Sequence, residues 1–152
     1  MAEPLTIAHM KDLTETSWQR WLDTVARMPA DQVDSALVCG VWTTKDLLGH
    51  IPVWDAVAID KIREIQEGVP WERMWTDERN AREAALRADR TVDEQRAEML
   101  MTHQRLLAAL DAASSLSADD LQRVSDTIAE DTWEHYAVHT AEIERWLADH
   151  QK

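Results

Sequence analysis

Phenylalanine is absent from this 152-residue chain, and several other residue types are scarce: one Tyr, one Cys, three Gly and four Pro. A turn-rich β sandwich or barrel needs many more glycines and prolines, so the chain is expected to be helical. Cys39 has no partner for an internal disulfide, which fits a reducing, cytoplasmic setting. Cations are also in deficit, with 16 Lys+Arg against 29 Asp+Glu and a net charge of −13. That balance disfavours a nucleic-acid surface, which needs clustered cations to displace counterions, and it disfavours docking on anionic lipid. Apolar runs are short, so no segment is expected to span a membrane. The opening residues lack a basic stretch followed by an apolar one, so no signal peptide is expected. Tryptophan, by contrast, is abundant, with eight copies. The length suits one domain, residues 1–152, with a real core.

Four long helical patterns follow one another. The first covers 5–28, with Ile7, Met10, Leu13, Trp18, Trp21, Val25 and Met28 near a 3.6-residue period and Pro29 as its stop. The second covers 44–67. Thr43 is its N-cap with Asp46 three residues on, and Gly68 closes it. Pro52, inside this helix, removes the bond to the Leu48 carbonyl and is expected to bend the helix after His50. Thr91-Val92-Asp93-Glu94 is a capping box for a third helix reaching about residue 113. A single short turn is expected to open at Ser117, and Asp131-Thr132-Trp133-Glu134 caps a fourth helix to about 150. The connector 69–90 is longer than an antiparallel turn needs and contains a short helical pattern at 77–87. Helix 2 should be about 36 Å long, and the connector can run back along it. Helices 2 and 3 should therefore run parallel, joined by a crossover.

The chemistry concentrates in His135-Tyr136-Ala137-Val138-His139. Imidazoles at i and i+4 lie one above the other on a helix, here in the sector of Ile143 and Trp146. Two buried, unpaired imidazoles are costly, and a metal ion satisfies both. His50 is a third histidine on an apolar stripe, with Leu47, Trp54, Ala58 and Ile65. The alternative for His50 is a core imidazole bonded to a backbone carbonyl. Three converging imidazoles leave coordination positions open, which marks a catalytic site. Candidates for a supporting catalytic role are Glu142, one turn from His139, and His103, which can equally be packed in the core. His9 and His150 read as surface residues. Cys39 reads as a small hydrophobe or loop thiol, with no charged neighbour to activate it.

Residues 40–54, containing Trp42-Thr43-Thr44-Lys45-Asp46-Leu47-Leu48-Gly49-His50 and Trp54, resemble the helix-2 signature of DinB-like proteins. Residues 132–147 resemble the same family's helix-4 signature, and Asp77-Glu78-Arg79-Asn80-Ala81 is similar to its crossover segment. The resemblance implies an all-α four-helix bundle with an up-down-down-up path and a long crossover between helices 2 and 3. It also implies a divalent metal on His50, His135 and His139. Similar proteins include thiol-dependent S-transferases, the maleylpyruvate isomerase N-terminal domain, the YfiT-like group and the ClbS/DfsB-type resistance proteins. Homodimers are common among them. A proline two residues after the helix-2 histidine departs from the usual pattern.

Two functions compete at this point. One is a metal-dependent hydrolase, or a low-molecular-weight-thiol-dependent S-transferase, acting on a small molecule. Zn suits the ligand set on availability, with Ni, Fe and Cu as alternatives. Trp42, Trp54 and Trp71 are candidates for the pocket wall, and Trp71 and Trp75 for a lid on the crossover. The other is a non-catalytic resistance protein that holds a small ligand in an aromatic cavity.

Overall fold

The computed structural model describes residues 5–150. Helix α1 spans Ile7–Ala26, started by the Thr6 hydroxyl, which accepts from the His9 amide at 3.1 Å. Helix α2 spans Thr44–Glu67 and carries the expected capping box between Thr43 and Asp46. Gly68, at φ +70°, ends it in the left-handed region where a Cβ would be strained. The helix runs unbroken through Pro52. Helix α3, Thr76–Leu86, lies in the crossover, and α4, Val92–Ala112, starts on the Thr91–Glu94 box. Helix α6 spans Trp133–His150.

Two features differ from the sequence expectation. The single turn expected after Ser117 is an eleven-residue helix, α5, Ala118–Ile128, capped by the Ser117 hydroxyl on the Asp120 amide. Its acidic surface concealed the apolar stripe of Leu121, Val124 and Ile128, which packs on the lower core. The segment between α1 and α2 also forms a small antiparallel hairpin, β1 (Leu37–Cys39) with β2 (Trp42–Thr43). Gly40, at φ +58°, makes its turn. Strands of three and two residues are too short to leave a periodic signal.

Cross-helix contacts set the helix directions. The start of α2 meets the start of α4, where Gly49 faces Gln95, and their ends meet where the Gln66 side chain bonds the Ala112 carbonyl at 2.8 Å. These helices are therefore parallel, as the crossover requires. Helix α1 opposes α4: Lys11 pairs with Asp111 at 2.9 Å, while Trp21, ten residues on, donates to the Met99 sulfur at 3.3 Å. Helix α6 opposes α2, with His50 by His139, Asp55 by Tyr136 and Lys61 by Asp131. The path is up-down-down-up. The core fills in two clusters. One surrounds Trp21, Leu47, Leu48, Ile51 and Tyr136, and the other Met10, Ile62, Leu106, Leu110 and Ile128.

Trp54 fastens α3 to this bundle, its Nε1–H donating to Asn80 Oδ1 at 2.8 Å. Trp54→Phe should cost about 1 kcal/mol, the net worth of one hydrogen bond. The loss should appear first in α3, as faster amide exchange there with the core of α2 and α4 unchanged. Uniform loss of protection across all helices would contradict this anchoring role.

Candidate metal centre

Helix periodicity places the site. On α6, the i, i+4 spacing stacks His135 and His139, and α2 lays His50 against both. His135 Nε2 lies 2.9 Å from His50 Nε2 and 2.9 Å from His139 Nε2. The rings meet edge to face, with centroids 4.6 to 5.1 Å apart. All three residues predicted from the sequence are therefore brought together by the same ring atom.

Proton counting shows what this cluster can hold. The His139 Nδ1–H donates to the Glu142 carboxylate, so its Nε2 presents a lone pair to the other rings. If His135 carries its proton on Nε2, it can donate to only one of its two neighbours. If it carries the proton on Nδ1, its single lone pair can accept from His50 at most, because His139 Nε2 carries no proton. That Nδ1 is buried without a hydrogen-bond partner of normal geometry, although the Asp131 carbonyl on its side favours a proton there. A neutral trio thus satisfies at most one of the two 2.9 Å contacts with a hydrogen bond, and a cation among the three Nε2 atoms resolves this.

Burial also keeps the rings neutral. It pushes His50 down to about 3, reinforced by the neighbouring His139. His135 falls well below the usual imidazole range through burial and its two histidine neighbours. His139 falls through burial, opposed by Glu142. Lone pairs are therefore available for ligation throughout the neutral range.

Glu142 occupies the carboxylate–histidine position considered from sequence, fixing the His139 tautomer. The hairpin adds Cys39, which spacing alone did not reveal as a neighbour, and seats Trp42, an expected pocket-wall residue, on His50. Trp42 sits with its ring 4.6 Å from that of His50. Cys39 joins His139 and Glu142 in a second group whose ligand atoms lie within 4.8 Å of one another. Burial and the Glu142 carboxylate push its thiol up to about 12, so Cys39 stays protonated as a donor to Glu142.

Other candidates fall elsewhere. His103 is not part of the trio. It stacks flat on Trp18 at 3.8 Å, and its Nε2 lies 2.5 Å from Glu15 Oε1. Its Nδ1 is 3.4 Å from the Tyr136 hydroxyl, which donates to Asp55 Oδ1 at 2.6 Å. This chain of four groups, one from each long helix, was missed because only the packed bundle brings α1, α2, α4 and α6 together. Of the pocket-wall candidates, Trp42 lines a narrow cleft beside His50, with Asp46, Asn80, Arg87 and Gln95. Trp54 is engaged by Asn80, and the cations of Arg73 and Lys61 lie over the Trp71 ring at 4.6 and 5.9 Å. Trp75 is 85 % exposed and covers nothing. His9 and His150 are exposed, as expected.

A family model for the DinB superfamily matches residues 13–151, nearly the whole chain. The chain belongs to the DinB superfamily. No curated protein and no solved structure matches it. Membership agrees with the all-α bundle and with the presence of a histidine cluster able to bind a metal, as this metal-associated superfamily leads one to expect. No helix among the described residues is long and apolar enough to cross a membrane.

Proposed function

We propose that this DinB-superfamily protein holds one divalent ion, Zn²⁺, on His50, His135 and His139 and uses it on a small molecule. The reaction is metal-dependent hydrolysis or low-molecular-weight-thiol S-transfer. One observation carries the reading: three neutral imidazoles present the same nitrogen to one point, with too few protons to separate them. When bound, the ion supplies Lewis acidity that makes water or a thiol a nucleophile near neutral pH.

The chain's own residues support that chemistry. Glu142 holds His139 in the tautomer that frees Nε2. The Cys39 thiol beside Glu142 and the Trp42 ring against His50 flank the cluster from the hairpin side. Three protein ligands leave open positions, as catalytic rather than structural sites do. The aromatic-cavity alternative needs several indoles around one space. Trp54 and Trp71 are committed elsewhere, which favours the metal reading. This reading takes residues 1–152 as a single domain on their length, cytoplasmic on the single cysteine, and homodimeric as the family resemblance implies.

Metal analysis tests it. Protein purified without a nickel column should carry close to one divalent ion per chain, and His139→Ala should carry less than a tenth of that. A stoichiometric ion remaining in the His139→Ala protein, or wild-type protein that stays empty after dialysis against zinc, would overturn the assignment.

A further inference from the structure

Gln95 lies at the start of α4, 2 % exposed, and its carboxamide makes no hydrogen bond; its Oε1 is fully enclosed and unpartnered. This is an unusual state for a buried polar group, because losing its water without a substitute is costly. The arrangement is also specific. The carboxamide rests directly on Gly49, where a Cβ would come within 2.1 Å of Nε2 and 2.7 Å of Cδ. Only the missing side chain of Gly49 lets Gln95 reach the helix turn that carries His50. Both residues line the narrow cleft beside His50 and Trp42.

The same cleft also offers donors. Arg87 Nε is buried without a partner, although the guanidinium's other nitrogens are held by Glu83 and by Glu98, the latter at 2.8 Å. Asn80 uses its Oδ1 for Trp54, which leaves its Nδ2 protons free. With the Arg87 charge already balanced by two carboxylates and Asp46 also in the wall, an anion gains little here. The free valences in the cleft are the Gln95 oxygen and amide protons, the Arg87 Nε–H and the Asn80 Nδ2 protons. A neutral group with a donor N–H and an acceptor C=O can serve the Gln95 oxygen and the Arg87 and Asn80 donors together. The free volume is about 10 Å³, no more than one water needs, so an amide-bearing substrate would enter by displacing α3.

We infer that Gln95 is a specificity-determining residue, and that the substrate of the site beside His50 carries an uncharged amide group read by Gln95, Arg87 and Asn80. The inference deepens the metal-centre reading by naming a substrate class. It also makes a stability prediction opposite to that of a structural glutamine. Replacing an unsatisfied buried carboxamide by an apolar group of similar shape removes a desolvation penalty, so the fold gains while binding is lost.

The test uses the full chain as purified and again after chelation, with metal content measured on each sample. Acetamide and acetate are titrated as probes and followed in ¹⁵N–¹H spectra. The Gln95 side-chain amide and Arg87 Nε–H signals should shift saturably with acetamide, and at least fivefold less with acetate. Gln95→Leu should weaken acetamide binding threefold or more while raising Tm by about 2–4 °C. Gln95→Met, prepared in parallel, should behave the same way. Equal responses to acetate, or a lower Tm in both variants, would overturn the proposal. An acetamide response in a chain that binds no metal would keep the amide subsite and overturn only the metal reading.

Discussion

Stripped of metal by chelation, the protein is expected to lose stability steadily as the pH falls below about 6.5. The reason is the histidine trio. In the folded chain burial holds His50 down to about 3 and pushes His135 and His139 below their ordinary range, so the rings stay neutral on acidification. In the unfolded chain each takes up a proton near pH 6.5. The unfolded state thus binds more protons throughout the window, and stability falls with pH. For His50 the window runs from about 6.5 down to about 3. Each fully neutralised ring contributes up to about 1.4 kcal/mol per pH unit inside its own window. Urea midpoints of the chelated protein between pH 7.5 and 4.5 measure the slope. His50→Leu, treated identically, should show a shallower one. Zinc-loaded protein should resist acid until protons displace the ion, because ligation requires the neutral rings. Coincident slopes for wild type and His50→Leu would mean that His50 titrates normally.

Asp55→Asn is expected to stabilise the protein at pH 7, with a gain that shrinks as the pH approaches 4. Asp55 is fully buried; Oδ1 accepts the Tyr136 hydroxyl and Oδ2 has no partner. Burial pushes this carboxyl well above the usual range, the Tyr136 bond opposes that, and Asp131 adds to it. Below the unfolded value near 3.9, both states are protonated and nothing is lost. Above it the unfolded chain releases the proton that the folded chain keeps, so stability drops by up to about 1.4 kcal/mol per pH unit. Asparagine keeps the acceptor for Tyr136 and removes that ionisation. It introduces one amide without a partner, at about 1–3 kcal/mol, and the removed ionisation outweighs that cost at pH 7. Thermal melts of both proteins between pH 4 and 8 decide the matter. A less stable Asp55→Asn protein at pH 7 would show that the buried carboxylate is ionised and compensated.

These two effects have opposite pH signs and arise from different layers of one bundle, which shows how unevenly the site was legible beforehand. Helix positions were readable because capping boxes at Thr43 and Thr91 and the 3.6-residue apolar spacing are local signals. The ligand trio was readable for a related reason: His135 and His139 share a face by helix geometry, and His50 sits on the inward stripe of α2. Spacing to His139 made Glu142 a candidate partner, with a solvated carboxylate as the alternative, and the packed helix decided between them. Helix α5 was read too short because acidic residues crowd its first turn and its stripe is only three side chains wide. The hairpin left no pattern at all, yet it brings Cys39 and Trp42 onto the cluster.

By itself the sequence determined the helical class, the parallel crossover and the three inward imidazoles, all consequences of spacing along one chain. Only the tertiary structure decided which polar groups would meet. His103 went to Glu15, Trp18 and Tyr136 and not to the trio, since α1 packs against α4 at that level. Gln95 came to rest, without a hydrogen bond, on Gly49 because α2 and α4 start side by side. Spacing fixes the face of a helix a residue occupies, whereas the neighbour it finds there depends on packing between helices far apart in the chain. The scarcity of glycine illustrates the difference: of the three, Gly40 and Gly68 turn the backbone, and Gly49 makes room for a side chain from another helix.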